Sequence, residues 1–202
     1  VMEQINALFA AERAANPTLD AWFKEGFVSR FTLADLAHYA PDTVGGIFYA
    51  QLSDNALEVN IVPPFEPKND FEYYQLRAGQ THDLEHILGG GGFDFIGELV
   101  PYYMRLTNVF VHLSPELAGE LCAFSILGST RIITRAVLHY PQTWLVAQNA
   151  MERGARVGRE SAPIFMMKFE DVFDLPLAEA REVLGIRGAQ FVDTEAASAQ
   201  WN

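Results

Sequence analysis

Four consecutive glycines, Gly89 to Gly92, stand inside a stretch that otherwise reads as helix. Each glycine costs a helix interior about 1 kcal/mol relative to alanine, so four in a row end any helix that reaches them. Upstream, "KNDFEYYQLRAGQTHDLEHIL" has helical periodicity and opens with Asn69 and Glu72 at capping-box spacing. Downstream, Asp94 is placed to cap a second helix, expected to run to about His112 with Pro101 inside it as a kink point. The spacing therefore predicts a helical hairpin within residues 70–112, with the glycines as its bend.

The rest of the chain follows the same period. Residues 2–15 place Ile5, Leu8 and Phe9 on one face. Short helices are expected in "TLDAWFKEGFVS", in "TLADLAHYA" with Thr32 as its cap and Asp35 in its first turn, and in "DTVGGIFYAQLSD". In "ALEVNIVPPFEP", Leu57, Val59 and Ile61 alternate with polar residues before two prolines, which predicts one short extended segment. Ser114–Pro115 opens a helix expected to reach about His139, Pro141 opens another, and Leu177 to Leu184 forms a last one ending at Gly185. No repeat or linker divides the 202 residues. The expectation is one all-α domain, residues 1–202, a bundle of about seven to nine helices.

Charge and cysteine content exclude several functions. The formal net charge of -12 leaves no excess of cations to displace counterions from nucleic-acid phosphates. It also disfavours purely electrostatic docking on anionic membranes, though not docking through apolar surface. The one cysteine, Cys122, lies in an apolar run and reads as core; it builds neither a disulfide framework nor a thiolate zinc site. The start of the chain lacks the basic-then-apolar pattern of a signal peptide, and the apolar run Leu121 to Thr130 is about half of the ~20 residues that cross a bilayer.

The hairpin carries the chemistry. A helix turns ~100° per residue, so with His82 at the origin His86 lies at about 40° and Asp83 at about 100°. Two imidazoles at i, i+4 can converge on one divalent ion, with Asp83 on the rim of the arc as an oxygen donor. Glu85 falls on the other side of His82 and stays open as a ligand or proton-transfer group. A chain that reverses at the glycines brings Glu98, one turn into the second helix, back over this face. Such a histidine pair also arises without any metal. His38, His112 and His139, in apolar helical contexts, are expected to be structural. Arg131 and Arg135, also i, i+4, read as a solvated helix face rather than an anion site.

"HDLEH" followed after eleven residues by Glu98 resembles the H-D-x-x-H-x11-E pattern of the coenzyme Q (ubiquinone) biosynthesis protein 4 family. Arg77, "FIGE" and "LPLAEAREVLGI" resemble further segments of that family, and the match spans about Phe71 to Ile186. "GGGG" departs from the family's usual connection before the glutamate, as does "LTNVFVHLSPELAGE" from its Gly-Leu-Pro stretch, so a divergent paralogue fits as well. The resemblance implies an all-helical, often dimeric protein holding zinc, with iron or manganese as alternatives, through His82, Asp83, His86 and Glu98. It implies action on a prenylated hydroxybenzoate ring: a lyase or oxidoreductase step, oxidative decarboxylation at ring carbon 1. It further implies association with other enzymes of the pathway at a membrane surface, in the cytoplasm or, after loss of a presequence, in the mitochondrial matrix. Glu85 is the candidate catalytic residue, in a supporting or proton-transfer role.

Two rivals remain at this level. A metal-dependent phosphohydrolase of the HD type would use His38, His82–Asp83, and Asp171 or Asp174. An isoprenoid-lipid carrier or scaffold would hold its metal for structure alone.

Overall fold

The hairpin forms as the glycines dictate. In a computed structural model that describes residues 2–55, 57, 59 and 65–201, α5 (Asp70–Gly89) runs into the glycine bend and α6 (Leu99–His112) returns beside it. Asn69 Oδ1 accepts from Glu72 N at 2.9 Å, while the Glu72 carboxylate reaches back to Lys68 N. Gly90 ends α5 at φ 85°, a left-handed conformation that favours glycine, and donates to His86 O.

α6 begins later than expected. Asp94 Oδ1 accepts from Ile96 N and Gly97 N and so caps a single turn, after which the regular helix starts at Leu99. Glu98 is therefore the residue before the helix, not one turn inside it. Pro101 falls in the first turn, where an N–H has no partner within the helix, so it produces no break.

The elements before the hairpin are α1 (Met2–Ala15), α2 (Pro17–Glu25), the single turn α3 (Leu33–Leu36) and α4 (Val44–Asp54). After it come α7 (Pro115–Leu121), α8 (Ala123–His139), α9 (Trp144–Glu160), α10 (Leu177–Leu184) and α11 (Glu195–Ser198), with four short 3-10 turns between and after them. Eleven helices among the described residues exceed the expected seven to nine because α3 and α11 are four residues each and because the helix expected over 115–139 is two. Its halves differ by 56° at Cys122. Leu117, Ala118 and Leu121 pack with Ile5 and Phe9, whereas Ile132 and Ala136 pack with Val100 and Ala147. Two stripes aimed at two cores require the bend. No strand occurs among the described residues; the extended segment expected at 56–67 lies largely outside them.

α6 is the central element. Gly154 of α9 lets the two backbones touch: a Cβ there would lie 2.3 Å from Val100 O. Asn108, fully buried, donates to Gly158 O and Ala162 O and accepts from Ile164 N, tying the end of α9 and the following turn to α6. Arg77, buried in α5, reaches Ser29 Oγ at 2.7 Å, Gln80, Met167 O and Glu170, and its guanidinium stacks on Phe27. It holds α5 in place from both ends of the chain. The C-terminal turn is anchored by Trp201, whose Nε1 donates to Thr143 Oγ1.

Candidate metal site and its cavity

The glycine bend places Glu98 against the His82/His86 face. Glu98 Oε2 lies 3.2 Å from His82 Nε2, and Glu98 Oε1 lies 3.4 Å from His86 Nε2. One donor atom from each of the three residues lies within 4.8 Å of the others, the one such cluster among the described residues. Ligand atoms at ~2.05 Å around a tetrahedral ion are separated by about 3.4 Å. Charge-assisted imidazolium–carboxylate bonds run about 2.7–2.9 Å. The separations here match ligand edges better than a bare ion pair.

His86 is fixed by its other nitrogen. Nδ1 stands 2.8 Å from Gly92 O, and a carbonyl only accepts, so Nδ1 carries a proton and Nε2 is the nitrogen turned toward the site. Phe93 stacks on the same ring at 4.7 Å between centroids. Gly97 makes this arrangement sterically feasible: a Cβ there would come within 2.1 Å of Gly92 O. Burial works to raise the Glu98 carboxyl, but the close approach of the His82 and His86 rings outweighs it and holds the group well below the usual carboxylate range.

Asp83 does not join the three donors. It is half-buried on the wall of an adjoining cavity of about 390 Å³, lined also by His82, Glu98, Gln75, Tyr102, Arg105 and Phe124. Burial pushes its carboxyl up, against the pull of His82 and His86. Glu85 points elsewhere in the hairpin: it is buried and pairs with Arg105 Nη2 at 2.7 Å. Through Arg105, which also donates to Ala78 O, it touches the cavity indirectly. Tyr102 and Arg105 carry no motif, yet they follow Glu98 at i+4 and i+7 on the same face of α6, a period that identifies them.

His38 is exposed and rests on Tyr39; Asp171 and Asp174 are exposed as well, and none of them approaches His82 as a phosphohydrolase centre requires. Of the three histidines expected to be structural, only His112 is, bonded to Ser161 O at 2.9 Å; His38 is exposed in the turn after α3, and His139 is exposed at the end of α8. Arg135 is not a solvated side chain: it binds Trp201 O and stacks between Phe95, Tyr140 and Trp201.

No protein-family profile matches the chain, and no curated protein is similar to it in sequence. Among solved structures, the fold is similar to that of a candidate ubiquinone biosynthesis protein from Nostoc punctiforme. The TM-score is 0.69 at 22% identity, over 91% of this chain and 82% of that one.

Proposed function

We propose that the chain is a metalloenzyme of a ubiquinone-type pathway, acting on a prenylated hydroxybenzoate ring and replacing its carbon-1 carboxylate with hydroxyl. The observation that carries this reading is the approach of His82, His86 and Glu98 to ligand-edge distances beside a cavity. The Nostoc protein of similar fold supports the pathway, and the H-D-x-x-H-x11-E resemblance supports the substrate class.

The donor set suits a divalent ion. Glu98 Oε2 is buried without a hydrogen-bond partner among the described residues, an arrangement that is costly unless something else satisfies it. Two neutral imidazoles and a carboxylate fit zinc, with iron or manganese as the alternatives. Such an ion, when bound, supplies Lewis acidity toward a phenolate or carboxylate oxygen. Replacing carboxylate by hydroxyl is a two-electron oxidation: the ring–carboxyl bond breaks and CO2 leaves, water supplies the hydroxyl, and O2, the oxidant assigned, takes up two electrons and two protons as hydrogen peroxide.

The protein's own groups then divide the work. Gly92 O keeps His86 in the tautomer that presents Nε2. Arg105 brings positive charge to the cavity wall for an anionic ring, and Glu85 orients that guanidinium. Asp83, on the cavity wall with its carboxyl pushed up by burial, is the group we assign to proton transfer. Phe124 and Tyr102 give the ring and the first part of its tail an apolar wall. A homodimer and contacts with other enzymes of the pathway belong to the same reading.

Metal analysis of the purified protein tests it: about one divalent ion per chain is expected, lost in the double variant His82→Ala/His86→Ala. Stoichiometric metal in that variant refutes the site. Calorimetry with a prenylated hydroxybenzoate and with the bare ring tests the substrate, since each buried CH2 adds ~0.8 kcal/mol. Equal affinity for the two refutes a lipid substrate.

A further inference from the structure

α8 is amphipathic in the wrong sense for a helix of a closed globule. Its buried arc is Ser125, Ser129, Ile132 and Ala136, mostly small or polar. Its outward arc carries Phe124, Ile126, Leu127, Val137 and Leu138, with Leu127 73% and Leu138 69% exposed. At ~100° per residue Leu127, Thr134 and Leu138 lie within about 40° of one another, at the centre of that arc.

The charge around this face is also unlike the rest of the chain. The protein has 26 acidic residues, yet none occurs between Glu120 and Glu152. Arg131 stands exposed on the outward arc with no carboxylate in its own segment to meet it. A second copy laid on this face would bring Arg131 toward its own mate and offer no counter-charge from the segment. A surface of anionic head groups over acyl chains supplies both the counter-charge and the apolar phase. The net charge of -12 repels such a surface everywhere else, which orients the molecule.

The face also leads to the candidate site. Phe124, 64% exposed, belongs at once to the outward arc and to the lining of the cavity. Its ring meets Tyr102 at 6.0 Å, and Tyr102 meets His82 at 6.2 Å. We infer that the outward face of α8 docks on an anionic lipid bilayer and passes a lipid-borne substrate past Phe124 into the cavity beside His82. The passage of substrate rests on the proposed function; the docking rests only on the face itself. No single helix among the described residues is long and apolar enough to cross a membrane; α7 and α8 together are, by length and composition, but they bend by 56° and α7 buries Leu117, Ala118 and Leu121 in the core, so the contact we assign is with one leaflet.

The test is co-sedimentation of the full chain with phosphatidylcholine vesicles, with and without phosphatidylglycerol. Wild type is expected to bind the anionic vesicles, and Leu127→Glu/Leu138→Glu to lower the partition coefficient at least about ten-fold. Arg131→Glu is expected to remove the preference for phosphatidylglycerol. Metal content and melting temperature of both variants should equal wild type, which separates a failure of docking from a failure of the metal site. Absence of vesicle binding by wild type, or equal binding by the double variant, overturns the inference. A wild-type dimer that the double variant dissociates, without vesicle binding, assigns the face to a second copy instead.

Discussion

Gly97→Ala should weaken metal binding without altering any ligand. The added Cβ would stand 2.1 Å from Gly92 O, whereas real Cβ contacts essentially never fall under 3.0 Å. The Gly92 carbonyl must therefore retreat by about 1 Å, because a close-packed bend has no side chain there to swing aside. That carbonyl accepts the His86 Nδ1 proton at 2.8 Å, so the retreat stretches or breaks the bond that fixes the imidazole. Loss of such a partner typically costs 10–100-fold in metal affinity, about 1.4–2.7 kcal/mol. Overpacking adds about 1–3 kcal/mol of lost fold stability. The control is Gly119→Ala in α7, where a Cβ would meet nothing within 4 Å and a helix gains up to about 1 kcal/mol. Competition against a chelator gives the affinity, and far-UV circular dichroism with urea gives the stability. A Gly97→Ala protein that binds metal within about two-fold of wild type would refute the role assigned to Gly92.

The Glu85–Arg105 pair gives a second prediction: Glu85→Leu alone should cost up to about 3–5 kcal/mol by leaving the largely buried Arg105 guanidinium without its carboxylate, and Glu85→Leu/Arg105→Met should recover much of it. Additive losses in urea unfolding would contradict the pairing. Glu98→Gln should weaken metal binding while keeping the fold, and His38→Ala, on an exposed turn, should do neither; the reverse pattern, read by metal analysis and melting, would restore the phosphohydrolase reading. Burial pushes the Cys122 thiol up to about 11, so iodoacetamide at neutral pH should label it only on unfolding. Because the folded state holds that proton more tightly, the thiol's contribution is complete below its unfolded value and is lost as pH rises toward 11. Rapid labelling of the native protein would show that the thiol is not buried as described.

The bend was legible because glycine acts locally. Four in a row stop α5 in any context, and Asn69, Thr32 and Gly185 mark helix ends through bonds that span only a few residues. The convergence of His82 and His86 was legible for the same reason, since it follows from helical pitch alone. Glu98 was reachable from sequence only through the hairpin, and its exact place, before α6 rather than inside it, was not. That depends on Asp94 capping one turn while also binding Thr194 and Ser198, residues a hundred positions away. The break at Cys122 was equally hidden, because no proline or glycine causes it; two separate cores do.

The sequence by itself thus determined the helical class, the hairpin and the two imidazoles that share one helix face, all consequences of backbone geometry over a few residues. Tertiary structure decided the rest. It set Asp83 aside from the three donors, turned Glu85 to Arg105, and gave His86 its proton on Nδ1 through Gly92 O. It also left the apolar arc of α8 outward, although its composition reads as core. The reason is physical: periodicity reveals which residues share a face, but only the packing of distant elements determines what that face meets.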